Sequence, residues 1–362
     1  MANSKDKDSH NDPSVDAGDD GILWIGLDLG TSRTAMASSN GLRDNTYSLV
    51  GYPKDVVSRK LLGDGPLFGA DVIKHRLSLD VYRPLEGGVI KGSSDEGDTK
   101  SAEANMKAAR DLVKHAIALA RPEKDQLIYA VIGTPAQASI KNRKAIFDAA
   151  REEVDSVMVA SEPFTVAYGL NQLTDTLVID IGAGTTDLCR MHGTMPAEED
   201  QITITAAGDF IDRGLAKLIR KSHPEVQFSD HMITQAKEKF ADVSPNAGKS
   251  SVKWPVNGKP TDIDITKEMK EACLSIVPPI VESLAKLIST FDPEFQAILR
   301  GNVLLGGGGS QIKGLGDAIA AYMDTHLGGG TVTTVEEPVY AGANGALRIA
   351  HDMPKEFWEQ LS

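Results

Sequence analysis

Cysteine and aromatic residues are both scarce in this chain of 362 residues, and their scarcity excludes several kinds of protein. The two cysteines, Cys189 and Cys273, are far apart and form no CxxC pair. Neither a disulfide framework nor a zinc site is therefore expected, and a reducing cytoplasm fits. Aromatic residues make up 5% of the chain, too few for a protein that binds nucleic acid by stacking. The eight histidines show no metal-ligand spacing, so we expect them to be structural or solvated.

The chain also lacks an excess of positive charge and any long apolar run. Its net charge of −13 argues against DNA or RNA as a partner. No apolar run approaches the roughly 20 residues needed to cross a bilayer, so we expect no direct membrane insertion. Residues 1–20 have almost no apolar side chain and predict a disordered acidic leader rather than a signal peptide. That leader is either a solvated extension without a role or a segment that binds a regulator or partner.

One short pattern occurs twice. The first copy, GLDLGTSRT at residues 26–34, follows the apolar run ILWI, and the second, DIGAGTTD at residues 180–187, follows TLVI. Each copy predicts a buried strand that ends in an aspartate and a turn of glycine and hydroxyl residues. Because the copies lie about 150 residues apart, they suggest two half-molecules that grip one nucleotide from opposite sides.

The chemistry of each turn points to phosphate and a metal ion. Glycine lets backbone N–H groups approach phosphate oxygens, and hydroxyl groups add further donors. A carboxylate repels phosphate, so Asp28 and Asp180 imply a shared Mg²⁺, held largely through water. The predicted phosphate contacts are Gly30, Thr31 and Ser32 in the first turn and Gly182, Ala183, Gly184, Thr185 and Thr186 in the second. Either turn alone could be a plain hairpin with a capping aspartate.

The order of segments is a strand-rich part, a small insert and a helix, followed by the same again. It predicts a duplicated α/β fold of two domains, each with an inserted smaller subdomain, around a nucleotide cleft. The first core is expected from residues 21–52, 89–170 and 340–362, with its insert at 53–88. The second core is expected from residues 171–207 and 275–339, with its insert at 208–274.

Apolar spacing predicts the individual elements. Helices are expected at residues 102–120, 134–150, 164–170, 210–221, 229–240, 266–290, 315–322 and 340–351. The helix at 266–290 contains Pro278 and Pro279 and should kink or break there. Strands are expected at 22–25, 34–38, 126–133, 157–159, 177–189 with a central turn, 201–205, 252–256, 262–265, 302–305 and 331–335.

Five segments in this order resemble the fingerprints of the actin, Hsp70 and sugar-kinase ATPase superfamily. They are a phosphate turn at 28–34, a connecting helix at 162–169, a second phosphate turn at 180–187, an adenosine loop at 306–310 and a connecting helix at 341–347. Within the superfamily the chain is similar to the bacterial actins of the MreB type, and most similar to the magnetosome-associated actins. The segments GYPKDV at 51–56, SEPF at 161–164 and residues 347–361 carry that likeness, which covers nearly everything after Gly21. The departures are Arg33 in the first turn, Gly-Ala-Gly and Asp187 in the second, and a longer leader.

The resemblance implies ATP or ADP with Mg²⁺ as cofactors and assigns residues to them. Glu162 is expected to orient the attacking water, together with Asp28 and Asp180 as catalytic residues. From position alone, Glu162 is an acid at a helix N-terminus that precedes Pro163. The remaining expected nucleotide contacts are Gly208, Asp209, Lys237, Glu238, Gly306, Gly307, Gly308, Gly309 and Ser310. Lys239 and Asp212 are weaker candidates, Asp187 either assists the second turn or pairs with a neighbour, and Arg33 contacts phosphate or solvent.

The function implied by the resemblance is a cytoskeletal ATPase that polymerises into filaments. Its partners would be further copies of itself and adaptor proteins of the magnetosome, and its filaments would lie in the cytoplasm and organise magnetosome chains. The alternatives are a small-molecule kinase of the same fold, a chaperone ATPase and a membrane-tethered division actin. No separate sugar-binding motif is visible, the chain ends about ten residues after its last predicted core helix, and no terminal amphipathic anchor appears.

Overall fold

The computed structural model describes residues 21–92 and 99–361. The predicted leader at 1–20 lies outside the described residues. In chain order the strands are β1 (Ile22–Leu29), β2 (Arg33–Ser38), β3 (Arg43–Tyr47), β4 (Val50–Pro53), β5 (Leu67–Phe68), β6 (Leu79–Tyr82), β7 (Leu85–Glu86), β8 (Val89–Ile90), β9 (Leu127–Thr134), β10 (Ser156–Ser161), β11 (Thr176–Ile181), β12 (Thr186–Met191), β13 (Gln201–Ile204), β14 (Ser251–Val256), β15 (Lys259–Asp264), β16 (Val303–Gly306) and β17 (Val332–Thr334). The helices are α1 (Val56–Leu62), α2 (Gly69–His75), α3 (Thr99–Leu119), α4 (Ile140–Ala150), α5 (Glu162–Gly169), α6 (Gly208–Ser222), α7 (Asp230–Phe240), α8 (Thr266–Leu274), α9 (Val277–Ser289), α10 (Gln296–Gly301), α11 (Leu315–Leu327), α12 (Ala341–Asp352) and α13 (Lys355–Leu361).

Two five-stranded sheets share one topology. The first has the order β10-β9-β1-β2-β3, and the second has the order β13-β12-β11-β16-β17. In both, the central strand has an antiparallel hairpin partner on one side and a parallel strand on the other. The predicted duplication of an α/β unit is therefore present in the strand order. Below, residues 22–161 are called the first half and residues 176–334 the second half.

Each half carries additional smaller elements. In the first half, β5, β4 and β6 form a three-stranded sheet. This sheet begins at Val50 and ends at Tyr82, whereas the predicted insert runs from 53 to 88. In the second half, α6 and α7 pack together, and β14 and β15 form a separate hairpin. The domain boundaries given above stay predictions.

The apolar residues form one cluster in each half and a third cluster between the halves. The third cluster contains residues of α5 and α12, which lie side by side between the two sheets. The helices approach closely because both present glycine at the contact. A Cβ added to Gly169 would lie 2.8 Å from the Cα of Gly345, and one added to Gly345 would overlap the carbonyl oxygen of Thr165. This close packing of α5 against α12 fixes the position of Glu162, the first residue of α5.

Most predicted elements are present, and one helix begins later than predicted for an identifiable reason. The helix expected at 134–150 begins at Ile140, because the Ser139 side chain caps it and residues 136–137 bond to the second half instead. The helix expected at 266–290 is broken at residues 275–276, which confirms the predicted break, and Pro278 and Pro279 lie in the first turn of α9. Proline lacks an N–H group and is tolerated in a first turn, where no helical bond is lost.

A C-terminal helix, α13, was not expected from apolar spacing. Its Trp358 is buried, and its ring lies 5.2 Å from that of Tyr129 and 5.7 Å from that of Trp24, measured between centroids. Aromatic pairs at such distances are favourable beyond the area that they bury. The helix is therefore held against the first sheet by a cluster of aromatic rings.

One stretch of the described chain, Thr266–Ser289, is long and apolar enough to cross a bilayer by length and composition. The sequence was expected to contain no such stretch. In the structure it consists of α8 and α9, and 56% of its most apolar window is buried inside the protein. The core helices of soluble proteins pass the same test, and here α9 packs against the second sheet and α8 against α6.

Candidate active site

The two repeated aspartates occupy equivalent places in the two sheets. Asp28 of β1 is paired with Gly133 of the parallel strand β9. Asp180 of β11 is paired with Gly306 of the parallel strand β16. The duplicated sequence pattern therefore becomes a duplicated position at the ends of the central strands.

Each of these carboxylates has room because a glycine lies beside it. A Cβ added to Gly342 of α12 would lie 2.8 Å from Oδ2 of Asp28. A Cβ added to Gly307 would overlap Oδ1 of Asp180, and Gly307 also has φ +74°, a conformation that side chains disfavour. Sequence reasoning gave Gly342 no role, because nothing in the local sequence shows which helix packs over Asp28.

Four carboxyl groups repel one another at the junction of the two halves: Asp180 and Asp187 are buried, and Asp28 and Glu162 are half-buried. Burial, with added repulsion from Asp187, raises the pKa of Asp28 to about 6. Burial, followed by repulsion from Asp28 and Asp187, raises the pKa of Asp180 well above its usual value. The pKa of Glu162 is raised in the same way, by burial and then by Asp28, Asp187 and Asp180. Such an arrangement favours the binding of a positive charge.

The residues at this place fit a hydrated Mg²⁺. Glu162 Oε1 and Asp187 Oδ2 are buried without a hydrogen-bond partner, so the site contains acceptors that nothing in the protein satisfies. Within the part of the chain that the structure describes, no group of three or more His, Cys, Asp or Glu residues is placed to ligate a metal directly. Mg²⁺ keeps much of its water shell in proteins, so separated carboxylates suit it.

The first turn is held by hydrogen bonds from a serine that sequence reasoning missed. The hydroxyl group of the fully buried Ser48 donates to the carbonyl oxygen of Gly30 at 2.6 Å, and its N–H donates to the carbonyl oxygen of Ser32 at 2.9 Å. The hydroxyl also lies 3.0 Å from Oγ1 of Thr34. Since both carbonyl groups are engaged, the shape of the turn is fixed before any ligand binds.

The second turn is held by the start of a helix. The N–H groups of Gly208 and Asp209 donate to the carbonyl oxygens of Gly182 (3.1 Å) and Ala183 (2.7 Å). Of the predicted hydroxyl donors, Thr186 is buried and donates to the carbonyl oxygen of Ala206 at 2.7 Å. Its hydroxyl group is therefore engaged within the fold, and its contact with phosphate stays a prediction. Thr185 bonds Asp187 instead and helps to offset the burial of that carboxyl group.

The two turns meet directly. A Cβ added to Gly184 would lie 2.5 Å from Oγ1 of Thr31 and 2.8 Å from Cα of Gly87. Thr31 Oγ1 in turn accepts a hydrogen bond from the N–H group of Gly88 at 2.9 Å. The predicted pair of phosphate turns is thus brought together, with residues 87–88 between them.

Asp187 joins the halves at this junction. Its Oδ1 accepts hydrogen bonds from the N–H group of Ala136 (2.8 Å) and from the hydroxyl group of Thr203 (2.6 Å). Burial raises the pKa of Asp187, although these bonds work in the opposite direction. Of the two interpretations left open for Asp187, pairing with a neighbour is therefore what the structure shows.

The glycine-rich turn after β16 is only partly available to a ligand. Gly306 is buried, and Gly309 packs against the side chain of Ile181, while Gly308 is exposed. The hydroxyl group of the buried Ser310 donates to the carbonyl oxygen of Gly307 at 2.7 Å and so closes its own turn.

The predicted contacts on α6 and α7 already have protein partners. The Lys237 ammonium group donates to the carbonyl oxygen of Gly208 at 2.9 Å and lies 2.9 Å from Oδ1 of Asp212, so it ties the two helices together. Asp209 and Glu238 face arginines of the first half. As nucleotide contacts these residues stay predictions, and the structure gives each of them another role.

Comparison with known proteins agrees with this geometry. The model of the MreB/Mbl protein family matches residues 23–356. The chain belongs to this family. Two curated relatives are the actin-like protein MamK of Paramagnetospirillum magneticum, 41% identical over 94% of this chain and 95% of the relative, and that of Magnetospirillum gryphiswaldense, 40% identical over 94% and 92%. The resemblance to bacterial actins is thereby confirmed.

Solved structures support the same conclusion for this family member. The structure called "MamK double helical filament" matches with a TM-score of 0.86 at 40% identity, over 92% of this chain and 100% of the other. A non-polymerising MamK mutant bound to AMPPNP matches with a TM-score of 0.69 at the same identity, over 91% and 99%. The expected two-domain actin-like fold is confirmed, and the overall shape is nearer to the filament subunit than to that mutant.

Proposed function

We propose that this chain is an actin-like ATPase that binds ATP–Mg²⁺ between its halves and polymerises into filaments. The observation that carries the proposal is the meeting of two matched strand–turn units at one group of buried and half-buried carboxylates. Two equivalent turns in contact, next to carboxyl groups that repel one another, suit a polyphosphate with its cation. They suit a ligand bound by one half alone less well. The family relationship supports the same function.

In this proposal the turns bind the phosphates. The backbone N–H groups of Gly30 to Ser32 and of Gly182 to Gly184 are the donors, because small residues let the backbone approach the oxygens. Asp28 and Asp180 would hold Mg²⁺, which when bound would neutralise charge on the phosphates. Gly308 is exposed, and in this proposal its backbone contacts the nucleoside.

Glu162 is the proposed catalytic carboxylate. It follows β10 directly and has one buried, unpartnered oxygen, Oε1, which is free to accept a hydrogen bond from a water molecule. In phosphoryl transfer such a group acts mainly by positioning the attacking water. Burial, followed by repulsion from neighbouring carboxylates, raises its pKa, and a cation at Asp28 and Asp180 would relieve the repulsion and favour the charged form.

The proposed assembly is a head-to-tail filament. Contacts between unlike surfaces that do not close into a ring produce open filaments. The relatives named MamK, two of which are 40–41% identical to this chain, include one whose structure is a double helical filament. The filaments lie in the cytoplasm and organise magnetosome chains, with magnetosome adaptor proteins as partners.

Sedimentation of the purified protein tests the proposal. Wild-type protein should pellet with ATP and Mg²⁺, and electron micrographs of the pellet should show filaments. Glu162→Gln should bind ATP but release phosphate far more slowly, whereas the exposed Glu271→Gln should match the wild type in phosphate release. Absence of pelleting under every nucleotide condition would contradict the filament, and normal hydrolysis by Glu162→Gln would contradict its catalytic role.

The cellular role needs a separate experiment. A fluorescent fusion of the chain, expressed in a magnetosome-forming bacterium that lacks its own MamK, should form linear structures and restore ordered chains. Diffuse fluorescence together with dispersed magnetosomes would contradict this part of the proposal while leaving the biochemical part intact.

A further inference from the structure

Arg83 connects the two halves next to the proposed nucleotide site. It lies between β6 and β7, outside every motif that the sequence analysis identified. Its Nε donates to the carbonyl oxygen of Thr31 in the first turn at 3.0 Å. Its Nη2 lies 3.2 Å from each carboxylate oxygen of Asp209. Since the N–H group of Asp209 bonds Ala183 of the second turn, Arg83 links one phosphate turn to the support of the other.

A second arginine makes a similar connection. Nη2 of Arg33, at the start of β2, lies 3.8 Å from Oε1 of Glu238 on α7. Its guanidinium group is already oriented by the first half, through hydrogen bonds to Asn45 (3.2 Å) and to the Tyr47 hydroxyl group (2.9 Å) and by the Tyr47 ring beneath it. Arg33 is therefore presented to the second half in a fixed position.

The two arginine–acid pairs differ from the contact that joins the halves deeper inside. The side chains of the pairs are between 27% and 41% exposed, whereas Asp187, which bonds Ala136, is 1% exposed. Water and salt reach partly exposed ion pairs and weaken them. The two ion pairs can therefore break while the hydrogen bond between Asp187 and Ala136 persists. Such an arrangement lets the cleft open at its rim while the halves stay joined inside.

We infer that Arg83–Asp209 and Arg33–Glu238 form a two-point clasp across the nucleotide cleft that sets how long a bound nucleotide stays. The inference rests on the proposed nucleotide site. A nucleotide between the turns leaves only when the halves separate, and separation breaks both pairs. Each pair therefore adds to the barrier to release, while the phosphate and Mg²⁺ contacts provide most of the affinity.

Release of a fluorescent ADP, such as mant-ADP, into excess unlabelled ADP measures this barrier. Asp209→Asn and Glu238→Gln keep the size of the side chain and remove its charge, so they should leave the fold intact. Each should accelerate release about two- to fivefold, as expected for one partly exposed ion pair. The double variant should accelerate it on the order of tenfold, because the two pairs share no residue.

Salt dependence and a mutant cycle separate a clasp from a merely structural role. Release from the wild type should become faster as KCl rises from 50 to 500 mM, an increase of about tenfold in ionic strength that shortens the screening length. The double variant should show a weaker salt dependence, because only its phosphate and Mg²⁺ contacts remain to be screened. Arg83→Ala combined with Asp209→Asn should be no faster than Arg83→Ala alone. Lys144→Ala, which breaks an exposed ion pair within α4, is the matched control and should release ADP at the wild-type rate.

The outcomes distinguish the two proposals. Unchanged release rates in Asp209→Asn and Glu238→Gln, with normal mant-ADP binding, would overturn the clasp and leave the nucleotide site standing. If the wild-type protein bound no mant-ADP with Mg²⁺, both proposals would fall. A thermal melt of each variant shows whether it is folded, and Glu238→Gln, at an exposed position, provides the test if Arg83→Ala does not fold.

Discussion

The two halves of this protein build the same strand–turn unit and support it differently. In both, a central strand ends in an aspartate beside a glycine of the parallel neighbour. The first turn rests on the hydroxyl group of Ser48, whereas the second rests on the N-terminal N–H groups of α6. The repeated sequence thus goes with a repeated backbone. The hydrogen bonds that support the two turns differ, because different groups can hold a turn in the same shape.

The hairpin partners of the two aspartates differ in charge. Asp28 pairs across its hairpin with Ala35, whereas Asp180 pairs with Asp187. The additional carboxylate in the second half reaches across and binds the first half at Ala136. The comparison teaches that both halves carry a turn proposed to bind phosphate, while the second half also supplies the buried link between them.

The largest expected effect concerns the position that follows the last strand of each sheet. In the first half this residue is Glu162, and in the second half it is Val335. If only the first half supplies the carboxylate that positions water, Glu162→Gln should lower ATP hydrolysis about 100- to 10,000-fold without loss of ATP binding. Phosphate release and mant-ATP titration measure the two properties. A parallel loss of binding would show that Glu162 is a ligand contact instead.

The next effect tests whether the two aspartates are equivalent. Asp28→Asn and Asp180→Asn should each weaken Mg²⁺-dependent ATP binding about 10- to 100-fold, because each removes charge that holds the ion. Both should also raise the melting temperature of the nucleotide-free protein, because each removes a repelling, buried carboxylate. Titrations with Mg²⁺ and with EDTA, together with thermal melts, test this. A large effect from only one of the two would break the equivalence.

A smaller effect isolates the link that only the second half supplies. Asp187→Ala leaves the N–H group of Ala136 without its partner and should cost about 1–3 kcal/mol of unfolding free energy. Asp187→Asn keeps an accepting oxygen and loses the repelling charge, so it should be at least as stable as the wild type. Urea unfolding compares the two variants. Equal losses in both would mean that charge, rather than the hydrogen bond, is what the site needs.

The smallest expected effect concerns the reactivity of the two cysteines, which both lie in the second half. Both thiols, Cys189 and Cys273, lie in the second half and are buried, and burial raises the pKa of Cys273 to about 12 and that of Cys189 further. Neither should react with a disulfide reagent at pH 8 while the second half is folded, because the thiolate is the reactive form. Complete reaction in guanidinium is the control. Rapid reaction in native buffer would show that the second half opens independently of the first.

Much of the fold could be predicted because its signals are local. The apolar runs before Asp28 and Asp180, the periodic helix α3 and the break before α9 all follow from neighbouring residues. The start of α4 could not be predicted, since Ala136 bonds a carboxylate 51 residues away in place of a helical acceptor. Helix α13 was missed because its burial depends on aromatic rings of the first sheet.

The candidate site divides in the same way. The sequence by itself predicted the aspartates and the small residues of the turns, because each belongs to a short pattern whose chemistry is visible in its composition, whereas Glu162 was predicted only from the resemblance to the actin superfamily. Only the tertiary structure decided that Ser48 supports the first turn, that Lys237 and Thr186 are engaged within the protein, and that Arg83 reaches Asp209. These are contacts between segments far apart in the chain, and packing of the two halves, rather than any local pattern, brings their atoms within bonding distance.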